Sequence, residues 1–292
     1  MRWQYTAVLG FVGAFTTWML VGSAPDQVAP NGHSESSGSS ARAASAAAAE
    51  PTTPAQPAGW GTVKGRIVLG DDEIPERVLV VKKGAANVNN PERCAARDLL
   101  SEELIVNKDN RGLKWVIVSL NKPSATHPDL GKVEGEVEFG QEFCVFKPHL
   151  LAFRQGQKLK ITSNDPIGHN TNLTPFQNAP WNQSLPGAPE AGKTEMDGPA
   201  LKAEPRPIPV ACNIHGHMKA YIVVFDHPYF AVTDENGAFE LKKVPAGEQR
   251  LVVWQEKCGY GSGRREGQAI EVKADETTDL GKIELKLPKQ SP

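Results

Sequence analysis

The chain has 292 residues, a formal net charge of -2 and 39% hydrophobic residues, enough to bury a core in one large or two small domains. Neither sign of charge dominates and no long basic run occurs, which argues against nucleic acid as a partner. With 27 glycines and 23 prolines, the composition suits short strands and turns better than long helices.

The chain opens "MRWQYTAVLGFVGAFTTWMLVGSAPDQ", one arginine ahead of an apolar run from Thr6 to Val21. That pattern reads as an export signal. Gly22, Ser23 and Ala24 resemble a small-residue cleavage site, but Pro25 would hinder the cut. Residues 1–24 are therefore expected to be either a signal peptide or a membrane anchor, and the rest of the chain periplasmic or otherwise extracytoplasmic. Residues 25–60 are mostly Ala, Ser, Pro, Gly, Gln and Asn. They have too little apolar surface to offset ordering entropy, so a disordered linker is expected.

Order is expected from Gly61. "GTVKGRIVLGDD", "RVLVVKKG" and "LKWVIVSLN" read as strands. The centre of "NNPERCAARDLLSEELIV" reads as a short helix. "KVEGEVEFGQEFCVFKPHLLAFRQGQKLKITSND" reads as several strands separated by glycine turns. "HNTNLTPFQNAPWNQSLPGAPEAGKTEMDG" lacks periodicity and reads as a long loop over one end of a sheet. "PIPVAC" and "MKAYIVVFD" are strands. "FAVTDENGAFEL" reads as a hairpin through Asn236-Gly237. "EQRLVVWQE" and the two halves of "QAIEVKADETTDLGKIELKL" complete the set. The expected class is all-β, built of short antiparallel strands in sandwiches.

One turn carries chemistry. "VACNIHGHMKAYIVVFD" (Val210–Asp226) holds Cys212, His215 and Met218 at Cys-x2-His-x2-Met spacing between two predicted strands. Thiolate, imidazole and thioether form a soft donor set, whereas magnesium or calcium would need carboxylates. Zinc would more naturally take paired cysteines or several histidines. Two histidines, one cysteine and a distant methionine describe a blue-copper electron-transfer site. Upstream, "CVFKPHLLAFRQGQKLKITSNDPIGHNTNL" contains Phe146-x-Pro148, Asn164 and the pair His169-Asn170. The bland alternative is a disulfide cysteine beside surface histidines.

From Val133 to Asp226 the chain resembles the cupredoxin family, and its ligand turn is similar to that of amicyanin-like members. The resemblance implies a Greek-key sandwich and a single type 1 copper ion held by His169, Cys212, His215 and Met218. It implies that Asn170 ties the two ligand segments together, and that His215 reaches through an apolar surface as the electron port. Gly216 and His217 stand where relatives often place proline or a bulky apolar residue. His217 is then either a rim residue titrating near neutrality or a solvated loop histidine. His149 reads as a packed or surface histidine. If copper takes Cys212, one of the other three cysteines must be odd. The expected disulfide is Cys94–Cys144, which would staple the N-terminal extension to the sandwich, with Cys258 free.

"HPYFAVTDENGAFELKKVPAGEQRLVVW" resembles the carboxypeptidase regulatory-like, or transthyretin-like, β-sandwich, through Thr233, Asp234, Gly237, Phe239, Pro245 and Gly247. "GTVKG" matches that family's opening strand. Residues 61–121 are too strand-poor to fold alone, so insertion of the copper sandwich between two halves of the second is favoured over beads in sequence. The division expected is 1–24 signal or anchor, 25–60 linker, 61–130 an N-terminal β region able to belong to the second sandwich, 131–228 the cupredoxin-like domain, and 229–292 the carboxypeptidase regulatory-like sandwich. No Gly-x-Ser-x-Gly or His-Glu-x-x-His occurs. The expected function is an exported, non-enzymatic carrier of single electrons between redox proteins, with a possible membrane tether at its N-terminus. The alternative is an exported scaffold or adhesion protein whose cupredoxin-like domain is empty or stores copper.

Overall fold

The computed structural model describes residues 57–190, 192–261 and 265–288. The expected signal or anchor, and the linker as far as residue 56, lie outside the described residues. No helix among the described residues is long and apolar enough to cross a membrane.

The molecule is all-β, as the strand pattern implies. One sandwich has a four-stranded sheet ordered Thr194–Asp197, Lys158–Ser163, Glu136–Glu142, Val145–Lys147. Facing it is a five-stranded sheet ordered Trp181–Leu185, His169–Leu173, Ile208–Ala211, Lys219–Phe225, Leu150–Arg154. Alternation drives the facing. In Lys158–Ser163 the side chains of Leu159 and Ile161 turn inward, while Lys158 is exposed and Lys160 only partly covered. Phe139, Phe146, Phe153, Leu173, Ile208 and Ile222 fill the space between the sheets, and the Phe139 and Phe146 rings stack at 5.1 Å. Burial of each such side chain contributes roughly 1.5–3 kcal/mol.

The second sandwich is assembled from both ends of the described chain. Trp60–Leu69 pairs antiparallel with Ala238–Pro245 and parallel with Thr277–Leu285. Ile117–Leu120 pairs with Phe230–Val232 and with Gly247–Gln255, and the latter also pairs with Gln268–Val272. A small third core joins the sandwiches: Ile117, Leu150 and Val223, flanked by Trp115, Tyr221 and Trp254.

Two expectations are corrected. The segment read as one long loop carries three strands, His169–Leu173, Trp181–Leu185 and Thr194–Asp197. Trp181–Leu185 is an edge strand with three consecutive exposed polar residues, so backbone pairing to His169–Leu173 holds it rather than any apolar pattern. The second correction concerns Asn236-Gly237. It makes a turn, but its flanking strands enter opposite sheets instead of pairing as a hairpin. Thr233 is the reason. Its hydroxyl donates to Leu113 O at 2.6 Å and accepts from Val116 N at 3.0 Å, pinning the chain at the crossing point.

Gly237 sits at that crossing with φ +74°, and a Cβ added there would stand 2.1 Å from Ile67 O. Gly237→Ala is expected to destabilise the protein by at least about 2 kcal/mol, through positive-φ strain and backbone collision. Urea denaturation followed by circular dichroism checks this. A midpoint within error of the unsubstituted protein would contradict it.

Candidate metal centre

Three strand ends place the donors. Cys212 directly follows Ile208–Ala211, and Met218 directly precedes Lys219–Phe225, its hydrogen-bonded neighbour. The turn closes on itself, with Cys212 N donating to Met218 O at 3.2 Å and Met218 N donating to His215 O at 2.9 Å. On the other side Asn172 pairs with Ala211 and Leu173 with Val210. Continued past its last bond, that antiparallel ladder sets Asn170 level with Asn213 and His169 level with Ile214. Asn170 Oδ1 accepts from Asn213 N at 2.7 Å, and Asn170 Nδ2 donates to Asn182 Oδ1 at 2.7 Å. The asparagine thus ties the two segments.

His169, Cys212 and His215 are brought together, each buried, with one donor atom apiece inside a 4.8 Å sphere of separations. His169 Nδ1 faces His215 Nδ1 at 3.0 Å, and Cys212 Sγ lies 3.8 Å from the same His215 nitrogen. Donors sharing one ion at about 2.0–2.3 Å stand roughly 3–4 Å apart, the spacing found here. Met218 is buried on the same turn. A second grouping, Cys144 with Asp165 and His169, offers no thiolate, because Cys144 is bonded to Cys94.

The proton positions follow from the outer partners. His169 Nε2 is 2.8 Å from Asp165 Oδ2. An ionised carboxylate only accepts, so Nε2 carries hydrogen and Nδ1 keeps its lone pair in the neutral ring. His215 Nε2 is 3.2 Å from Asn90 Oδ1, again an acceptor, so its Nδ1 is likewise the lone-pair nitrogen. Burial, and after it the charges of His169 and His217, push the His215 pKa down to about 4, so the ring is neutral at neutral pH. Two buried lone pairs facing at 3.0 Å repel unless a positive charge stands between them, either a proton or a metal ion. Burial opposes charge on His169, yet hydrogen bonds to Asp165 and Cys212 leave its pKa raised. Burial likewise works to raise the Cys212 pKa, but the hydrogen bond from His169 and those of Asn170, His215 and Ile214 hold it below the usual thiol value. The donors brought together, one thiolate and two imidazoles, fit a copper ion, with the Met218 thioether buried on the same turn.

One expectation fails. His215 is only 2% exposed and does not emerge as a port. The segment around the short helix Pro91–Cys94 lies over it. Asn90 caps its Nε2, and Asn89 Nδ2 donates to Ile214 O at 2.6 Å. Arg93 anchors that cap, with Nε 2.7 Å from Asp165 Oδ1, and Cys94 is bonded to Cys144. The Cys94–Cys144 pairing is the one expected, and Cys258 is a free, half-buried thiol whose pKa burial pushes up to about 11. His217 is half-buried, its Nε2 is without a hydrogen-bond partner, and burial lowers its pKa. His149 is buried and paired with Glu256 Oε2 at 2.8 Å.

Sequence reasoning missed Asp165, Arg93 and Asn90. Asp165 carried a signal, standing four residues before His169 in "NDPIGH". Asn90 carried none, since 125 residues separate it from the histidine it covers.

No family model matches the sequence, and no curated protein matches it. Among solved structures the chain is similar to a copper-containing nitrite reductase from Thermus scotoductus, at 19% identity and TM-score 0.25, over 30% of this chain and 22% of that one. The similarity thus spans about a fifth of the reductase. A purple cupredoxin from Nitrosopumilus maritimus is similar at 15% identity and TM-score 0.22, over 27% of this chain and 81% of that one. Auracyanin A, a "blue" copper protein from Chloroflexus aurantiacus, is similar at 18% identity and TM-score 0.25, over 32% of this chain and 100% of that one.

Proposed function

We propose that this chain is an exported copper protein that carries single electrons between redox proteins, with one type 1 ion held by His169, Cys212, His215 and Met218. The observation that carries this reading is the pair of imidazole nitrogens facing at 3.0 Å beside the Cys212 sulfur, in a pocket closed to water. Copper there would supply a one-electron couple between its two common oxidation states. The residues supply the rest. Asn170 and the Ala211–Lys219 pair fix the donors before the ion arrives, so little needs to move on electron gain or loss. Four protein donors leave no open position for a substrate, which favours a carrier over an oxidase. The second sandwich, with its resemblance to carboxypeptidase regulatory-like modules, is assigned a structural or protein- or glycan-binding part. Residues 1–24 are assigned to export or membrane tethering.

A second reading, copper storage within a scaffold protein, is favoured by the sealing of His215 under Asn90. One experiment separates them. Cu(II) added to the purified protein is expected to give intense red-light absorption from the thiolate, narrow copper hyperfine splitting and a reversible one-electron couple. A colourless Cu(II) complex would reject both the type 1 site and the carrier function. A coloured but electrochemically irreversible one would leave storage.

A further inference from the structure

Asp165 is fully buried, and its carboxylate accepts four hydrogen bonds. Its Oδ1 takes Phe143 N at 2.7 Å and Arg93 Nε at 2.7 Å, and its Oδ2 takes Cys144 N at 2.8 Å and His169 Nε2 at 2.8 Å. Phe143 and Cys144 form a two-residue turn between Glu136–Glu142 and Val145–Lys147, with φ of 52° and 55°. Side chains rarely adopt that conformation without compensation, and the carboxylate supplies it. The same group therefore reaches the disulfide turn, the cap over His215 and one imidazole of the metal centre.

We propose that Asp165 is the positioning residue of the copper centre: through the His169 Nε2–H it holds the imidazole in its donor orientation and lowers the reduction potential, and Arg93 moderates that effect. The inference rests on the copper reading above. A carboxylate that accepts the far N–H of a ligating imidazole makes the near nitrogen a stronger donor, and its charge favours the more positive metal state. The Arg93 guanidinium neutralises part of that charge; side-chain exposure is 23% for Arg93 and 0% for Asp165, so the pair is poorly screened. Asp165 has no contact with the ion's place itself, so its effect passes through His169.

The two partners thus give shifts of opposite sign. Asp165→Asn is expected to favour Cu(I) over Cu(II) at least about tenfold, a rise of about 59 mV for a one-electron couple. Arg93→Gln leaves the carboxylate unneutralised and is expected to lower the potential. A purely structural part would move both in one direction or neither, and either result overturns the proposal. If Asp165→Asn fails to fold, because the turn at Phe143–Cys144 loses its acceptor, Arg93→Gln decides alone: a fall supports the proposal, and an unchanged or raised potential overturns it. Nitrogen NMR of the metal-free protein adds a readout independent of copper. A slowly exchanging hydrogen on His169 Nε2 is expected, and an unprotonated Nε2 overturns the proposal. If the unsubstituted protein shows no thiolate–copper absorption, the copper reading fails instead, while the NMR result still judges the Asp165–His169 link.

Discussion

Cys212→Ser is expected to abolish the intense visible absorption and the one-electron couple while leaving the fold intact. The sulfur is the only anionic donor in the site, and the hydroxyl of serine does not ionise at neutral pH. Its loss leaves two neutral imidazoles and a thioether, a set that binds copper weakly and gives no thiolate charge-transfer band. The fold persists because serine differs from cysteine by a single, smaller atom, so the buried place that Cys212 fills needs no rearrangement. The core beneath it, from Val210 and Ile208 down to Phe139, is untouched by the change. A buried hydroxyl needs a partner, and Asn170 Oδ1, 3.3 Å from the sulfur, accepts from it. The stability cost is therefore about 1 kcal/mol or less. Absorption and electron paramagnetic resonance after Cu(II) addition, with circular dichroism as the folding control, give the answer. Colour surviving in the serine variant would end the assignment of Cys212 as ligand, and with it the type 1 centre.

What was legible in the sequence was what is local. Cys212, His215 and Met218 lie within seven residues, between an alternating strand and an apolar one, so spacing alone places three donors on one turn. His169 was reachable because it opens a strand and is followed by the asparagine that bonds back to Asn213. The reading failed where a contact depends on packing between distant segments. Asn90 and Arg93 lie in "NNPERC", which spells a short proline-started helix and nothing about a metal. Their position over His215 is set by the Cys94–Cys144 bond and by the buried carboxylate of Asp165. The strand Trp181–Leu185 was missed because its three central residues are polar and exposed, so backbone pairing to His169–Leu173 rather than an apolar pattern marks it. At Asn236-Gly237 the turn chemistry was plain, but a turn signal does not specify whether the next strand returns beside its predecessor or crosses to the other sheet. That choice was made by Thr233 and its two partners, more than 100 residues upstream.

Removing the disulfide is expected to produce the largest stability change, and to open the metal centre at the same time. Cys94 and Cys144 are 50 residues apart in sequence and both fully buried. Cross-linking a loop of that length restricts the unfolded chain by about 4 kcal/mol on the chain-entropy account. Against a total of roughly 5–15 kcal/mol for an ordinary domain, the loss is severe. The Cys94→Ala/Cys144→Ala variant should therefore show a much lower urea midpoint. The second consequence is local. The cap bearing Asn90 is held by this bond, by Arg93 on Asp165 and by Asn89 on Ile214. The latter two tethers are polar contacts worth about 1–3 kcal/mol each, so the cap opens more often once the covalent one is gone. His215 is then exposed at its Nε2 edge, which Asn90 covers in the closed cap. Reduction of the Cu(II) protein by a small solvent-borne reductant should accelerate at least about tenfold, corresponding to a shift of 1.4 kcal/mol in the closed–open balance. Stopped-flow bleaching of the thiolate absorption measures the rate. A lower midpoint with an unchanged rate would show that the cap stays shut without its staple, and the segment over His215 would then be a fixed wall of the site rather than a barrier to electron entry.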